Sequence, residues 1–216
     1  MNKISLAYLL LIITPLFSAY RVPEIKHENT TSTSVVFSTP VINEKYSIDT
    51  NESVLTWKCS MAFAGKGGHN GYVTITKGEL IIEKGLLVGG SVEVDMNTIA
   101  DEHGRSDNNL IEHLQSPDFF DVKKFPSATF AITKVAAGEG ETINITGNLT
   151  IKGITHEVTF PAKMEVKDGA VNASGKLSID RTRWDVRYQS GKFFDNLADE
   201  AISDTIEFEM KIVAKK

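Results

Sequence analysis

A chain of 216 residues, 41% hydrophobic and 24% charged, has an ordinary globular composition and length for one sizeable core, with little left for a second full domain. Its formal net charge of −5 lacks the basic footprint of a nucleic-acid binder, so polyanionic partners are disfavoured. The single cysteine, Cys59, rules out an internal disulfide and leaves stability to the core.

Residues 1–19 begin with Lys3, run through the apolar LAYLLLIITPLF and end in Ser18 and Ala19, the layout of a secretory signal peptide that implies export to the periplasm or beyond the cell. Bulky Phe17 stands where a small residue is preferred before a cut after Ala19, which keeps an uncleaved anchor open. Residues 20–43 contain NTTSTS and two prolines and read as a flexible Ser/Thr-rich tether.

From residue 44 the pattern turns to period two, the signature of strands with one buried face. Leu55, Trp57, Cys59, Met61 and Phe63 fall on one side, with Cys59 as an inert buried thiol. His69, in a glycine-rich run, reads as part of a turn. Val73 and Ile75 face inward, but Leu80 and Ile82 have the opposite parity, so a glycine bulge is expected near Lys77 and Gly78. Glu83-Lys84-Gly85 predicts a hairpin turn, after which Leu86, Val88, Val92, Val94 and Met96 are expected on one face.

Asn109–Thr133 interrupts the strands. Leu110, Ile111, Leu114, Phe119, Phe120 and Val122 recur at helical spacing, with Ser106 and Asp107 as N-cap candidates and Pro117 and Pro126 as punctuation, which predicts short capping helices over 107–122. Two readings stand: ordinary core beside a sheet, or a lid of Phe119 and Phe120 over a cavity.

Alternation then resumes through Ala128, Phe130 and Ile132, Ile143 to Ile151, Val158 to Val166, Val171 to Ile179, and Ile206 to Ile212. About eight antiparallel strands imply an all-β closed barrel or a sandwich, and periodicity does not choose between them. Strands of this length would leave long unpaired edges unless the sheet closes. The long connection from Asp180 to Asp204 reads either as a strand extension whose aromatics cover the sheet end, or as a mouth in which Arg183, Trp184 and Arg187 meet a polar head group.

His113, Leu114, Ser116, Asp118, Phe119, Phe120, Phe125 and Pro126, followed by the strand Ala128 to Ile132, resemble the YceI-like family. A second block, Gly147 to Phe160, is similar to that family's strand, turn and strand. The resemblance covers residues 44–216 and implies a lipocalin-like antiparallel barrel that binds polyisoprenoid and other long-chain lipids in the periplasm. The connection after Asp180-Arg181 is longer than the family's simplest pattern.

Signatures of catalysis fail. There is no GxSxG; His156-Glu157 is followed by Phe160 rather than a second histidine, on a strand; Gly175-Lys176 lacks the flanking residues of a phosphate loop. His69, His103 and His113 have no paired metal-ligand spacing. No enzyme activity, metal or cofactor is expected.

The leading expectation is a lipid carrier or sequestering protein, its cavity lined by Trp57, Met61, Phe63, Val94, Met96, Phe130, Ile132, Phe160, Met164, Phe208 and Met210, with Phe119 and Phe120 as lid. Its partner is a long-chain isoprenoid, quinone-like or fatty acyl lipid, and the role is compatible with transient membrane contact and with a homodimer. The alternative is an envelope protein with a filled core that acts through its surface.

Overall fold

The structure, a computed structural model, describes residues 43–61, 67–103, 109–197 and 200–216. The expected signal peptide, nearly all of the tether, Phe63, the N-cap candidates Ser106 and Asp107, and the side chain of Met61 lie outside the described residues. Contacts group Pro40–Lys216 into one compact unit.

That unit is a closed antiparallel barrel. Its strands are β1 (Glu44–Ile48), β2 (Val54–Met61), β3 (Gly68–Glu83), β4 (Leu86–Asp101), β5 (Ser127–Ala137), β6 (Ile143–Ile151), β7 (Ile154–Lys167), β8 (Ala170–Asp180) and β9 (Ile202–Lys215), with one helix, α1 (Asn109–Gln115), between β4 and β5. β4 through β9 pair in chain order, β9 pairs with β2, β2 with β3, and β3 with β4, which shuts the ring. β1 and β2 occupy one stave: β1 pairs with the end of β3 and with Ala214 and Lys215, β2 with the start of β3 and with β9 from Ile202 to Lys211. Nine strands thus make eight staves. Where this stave breaks, the Ser53 hydroxyl stands in for backbone, accepting from Val213 N–H at 3.0 Å and donating to the Val213 carbonyl at 3.2 Å. Closure leaves no free sheet edge.

Three hairpins share one turn chemistry. Lys84-Gly85, Lys152-Gly153 and Asp168-Gly169 each place both residues at positive φ, the two-residue turn whose twist matches that of the strands. The bulge expected near Lys77 is present: the β3–β4 register shifts between Ile75 and Lys77, and the buried set changes from Val73 and Ile75 to Leu80 and Ile82.

Four expectations are corrected. In β4 the inward residue is Leu87, while Leu86 and Val88 are 67% and 45% exposed. Gly90, at φ 151°, sits beside a register shift at Ile81 and Ile82 that inverts the parity of β4 before Val94 and Met96 regain the inside. The capping helices over 107–122 reduce to one short helix ending at Gln115; from Ser116 onward a chain of turns carries Phe119 and Phe120, because Pro117 cannot continue the ladder. His69 lies in β3, paired opposite Cys59, and not in a turn. The Asp180–Asp204 connection does not prolong a strand: Arg181–Trp184 forms a turn of 3-10 helix capped by the Asp180 carboxylate, which accepts from Thr182 N–H.

The turns at 84–85, 138–142 and 168–169 close one end of the barrel, while the two long connections, 102–126 and 181–201, stand at the other, beside the Lys152-Gly153 turn. This asymmetry positions the site.

Candidate functional site

At the end with the short hairpins the interior is solid: Tyr46, Ile48, Leu80, Ile82, Leu87 and Val171 are all buried. Toward the long connections the same barrel encloses a cavity of about 340 Å³ to which every stave and α1 contribute. Apolar side chains dominate its wall. One barrel therefore holds both a filled and a hollow half.

Close approach of rings to glycine helps to keep the space open. A Cβ on Gly147 would lie 2.4 Å from the Phe130 ring, and one on Gly71 would lie 2.8 Å from the Trp57 indole. The absent side chains let both aromatics lie against the neighbouring strand instead of reaching across the lumen. Phe130 and Phe160 meet at 5.6 Å between centroids, a tilted pair that fixes each ring.

Of the expected lining, Trp57, Val94, Met96, Phe119, Phe120, Phe130, Phe160, Phe208 and Met210 surround the cavity. Ile132 and Met164 do not. Ile132 lies where the β5–β6 register shifts, and Met164 sits by a shallow groove toward the filled end. Sequence reasoning left out Ile75, Ile99, Leu110, Leu177 and Gln189, which also face the space. The parity of β3 already pointed Ile75 inward; nothing in the sequence marked Gln189.

The expected mouth residues are placed otherwise. Trp184 is fully buried, its indole N–H donating to the Leu149 carbonyl at 3.1 Å. Arg183 stacks over the Trp184 ring at 5.3 Å, and Arg187 pairs with Asp185 at 2.7 Å while lying over Phe193. None of the three lines the cavity. The charge that organises this end is Arg181, 1% exposed. Its Nε donates to Ser203 O at 2.9 Å, Nη1 to Val186 O at 2.8 Å and Nη2 to Ile202 O at 3.1 Å, with Asp204 at 3.7 Å. Burial pulls its pKa below the ordinary guanidinium value. Arg181 is thus a staple that ties the 181–201 connection to β9.

Polar groups in the wall are few. Ser60 and His69 lie at an exposed rim, and Cys59 is half-buried, with burial pushing its thiol pKa up. His113, on α1, packs edge-on against Tyr188 at 4.4 Å and Phe119 at 5.4 Å, and its buried Nε2 has no hydrogen-bond partner. Among the described residues no three His, Cys, Asp or Glu side chains are placed to hold a metal, and no helix is long and apolar enough to cross a membrane.

Comparison with known proteins agrees with this geometry. A family model described as the YceI-like domain matches residues 46–214. A UPF0312 protein of Enterobacter sp. is 43% identical over 97 residues, 41% of this chain and 48% of that protein, and Protein YceI of Salmonella arizonae is 42% identical over 74 residues, 34% and 36%. The alignments thus span half or less of these relatives. Among solved structures, BcnA of Burkholderia cenocepacia superposes with a TM-score of 0.64 at 20% identity, covering 78% of this chain and 99% of BcnA. A polyisoprenoid binding domain from Saccharophagus degradans, implicated in plant cell wall breakdown, gives 0.54 at 12% identity, covering 79% and 97%. At these identities the likeness is one of fold.

Proposed function

The chain belongs to the YceI-like domain family, and from that premise we propose that its barrel binds the chain of a long hydrophobic ligand, as an exported lipid carrier or sequestering protein. The observation that carries this reading is the apolar cavity of about 340 Å³ at the end bearing the long connections. Its volume falls at the small end of ligand pockets generally, about 300–1,000 Å³. Removing some 300 Å² of hydrocarbon from water is worth about 7 kcal/mol before ordering costs, so apolar burial supplies a large driving force without a charged anchor. The polyisoprenoid-binding neighbour, alike in fold, supports a binding role. Export rests on residues 1–19, whose composition is that of a signal peptide.

The wall residues in this reading are Trp57, Val94, Met96, Phe130, Phe160, Phe208 and Met210, with Phe119 and Phe120 beneath the cap. Extraction of the purified protein into organic solvent followed by mass spectrometry tests it. A co-purifying lipid, or stoichiometric uptake of added prenyl or fatty chains, is expected. Repeated failure of both would leave the filled-core, surface-acting alternative.

A further inference from the structure

Apolar side chains scattered singly over a surface are ordinary, whereas adjacent aromatic rings left in water ask for a partner. Among the described residues six large apolar side chains are exposed, and only Phe193 and Phe194, each 47% exposed, are consecutive. Every residue from Gly191 to Asn196 is exposed, so the two rings stand on a tip of the 181–201 connection.

The tip is held in place. The carbonyl of Ser190, a fully buried residue, accepts from Phe193 N–H and Phe194 N–H, both at 3.0 Å, and Lys192 ties the same turn to Asp180 and Asp204. The rings are therefore presented with little ordering left to do on contact. Arg187 lies over Phe193 at 4.7 Å, and its long stem lets the guanidinium stay in water while the ring enters an apolar phase.

Area decides what such a tip can grip. Two half-exposed Phe side chains offer roughly 200 Å² between them, well short of the about 800 Å² per partner that a stable protein interface buries. A bilayer surface yields around a small wedge and sets no such requirement, its grip scaling with the apolar area inserted. Four Lys and Arg face four Asp and Glu within 181–201, so the rings and not a net charge supply the attraction. The same connection reaches the cavity wall through Gln189 and Ile202, which puts wedge and hollow half on one element.

We propose that Phe193 and Phe194 form a wedge that seats this end of the barrel, weakly and reversibly, in the surface of a lipid bilayer. The docking stands apart from the cavity reading, which supplies its use: a chain passing between bilayer and barrel travels less far through water.

The test floats the whole protein with vesicles of phosphatidylcholine, alone or mixed with phosphatidylglycerol. Wild type is expected to float with both, and added salt to change little. Phe193→Ser with Phe194→Ser partitions about tenfold more weakly, or worse, because the apolar area is withdrawn, while Phe193→Leu with Phe194→Leu keeps most of the binding. Leu86→Ser, which removes the most exposed large apolar side chain, at the filled end, is expected to change nothing. An unaltered urea midpoint in each variant shows that a loss is not unfolding. Failure of wild type to float overturns the proposal, as does retained binding in the double serine variant or an equal loss in Leu86→Ser. If wild type floats but neither carries nor takes up a chain, docking stands and the cavity reading falls; chain uptake without flotation removes docking alone.

Discussion

At the scale of single residues, Cys59 supplies a reporter that the chain already carries. Its thiol lines the cavity, and burial raises its pKa, so the nucleophilic thiolate is scarcer in the folded protein than in the unfolded one. Alkylation by iodoacetamide at pH 8 is expected to run at least tenfold slower in the native protein than in urea, and slower again when a chain occupies the site. A native rate indifferent to saturating ligand would place the chain elsewhere. Val94, inward and 8% exposed, gives the complementary experiment. Val94→Phe adds bulk into the open half and is expected to weaken chain uptake while costing about 1–3 kcal/mol in urea unfolding; collapse of the fold instead would indicate that the space is already spoken for. Strand parity made Val94 legible as an inward residue. The solitude of His113 Nε2 was not, because a missing partner is a property of three-dimensional surroundings that no spacing encodes.

At the scale of elements, the 181–201 connection behaves as a strap with two fastenings. Arg181 is the inner one, and removing it strips the partner from three backbone carbonyls and one of the two from Asp204; because Asp204 keeps Lys192 and some solvent, Arg181→Met is expected near the lower end of the usual range, about 3 kcal/mol by urea denaturation. Lys192 is the outer fastening. Burial alone would raise the Asp180 carboxyl, but hydrogen bonds from Lys192 and Thr182 more than reverse it, and the folded pKa is lowered. A depressed carboxyl stabilises the fold above the unfolded value, about 3.9 for Asp, and that contribution disappears as pH falls through the folded value. Lys192→Met should therefore lower the urea midpoint at pH 7 and cost progressively less as the pH is taken down below the ordinary carboxylate range; a loss that does not shrink with falling pH would mean the bridge is not the cause. The strand-extension alternative for this strap rested on the alternation of Trp184, Val186 and Tyr188; Trp184 and Val186 are indeed buried, but Trp184 on a 3-10 turn and Val186 just beyond it, with no strand. Hairpins were easier: Lys84-Gly85 announces its turn through residue chemistry that acts over two positions. In β4, by contrast, a bulge at Val88, next to Gly89 and Gly90, reversed the faces of Leu86, Leu87 and Val88, and a single unpaired residue is enough to defeat a period-two reading.

At the scale of the molecule, the number of strands and their closure followed from alternation together with the resemblance, whereas the division of the interior did not. Tyr46, Ile82 and Val171 at the filled end and Val94, Phe130 and Phe208 around the hollow end present the same inward parity; what separates them is how far each ring and branch reaches across the lumen, which depends on tilt and on the neighbouring glycines. The division sets a length scale. Taking about 30 Å³ for each water-sized group, a cavity of about 340 Å³ seats roughly a dozen methylene-sized groups before the chain meets the packed half. Each methylene buried up to that point should add about 0.8 kcal/mol, close to fourfold in affinity. A series of straight-chain alcohols is therefore expected to gain affinity steeply to about twelve carbons and then flatten, since further carbons emerge past Ser60 and His69 into water. Calorimetry or dye displacement across the series would locate the break. A gain that continued unabated to twenty carbons would require the Tyr46–Ile82 layer to part and admit the chain, and it would then be the filled half, not the cap, that governs which ligands fit.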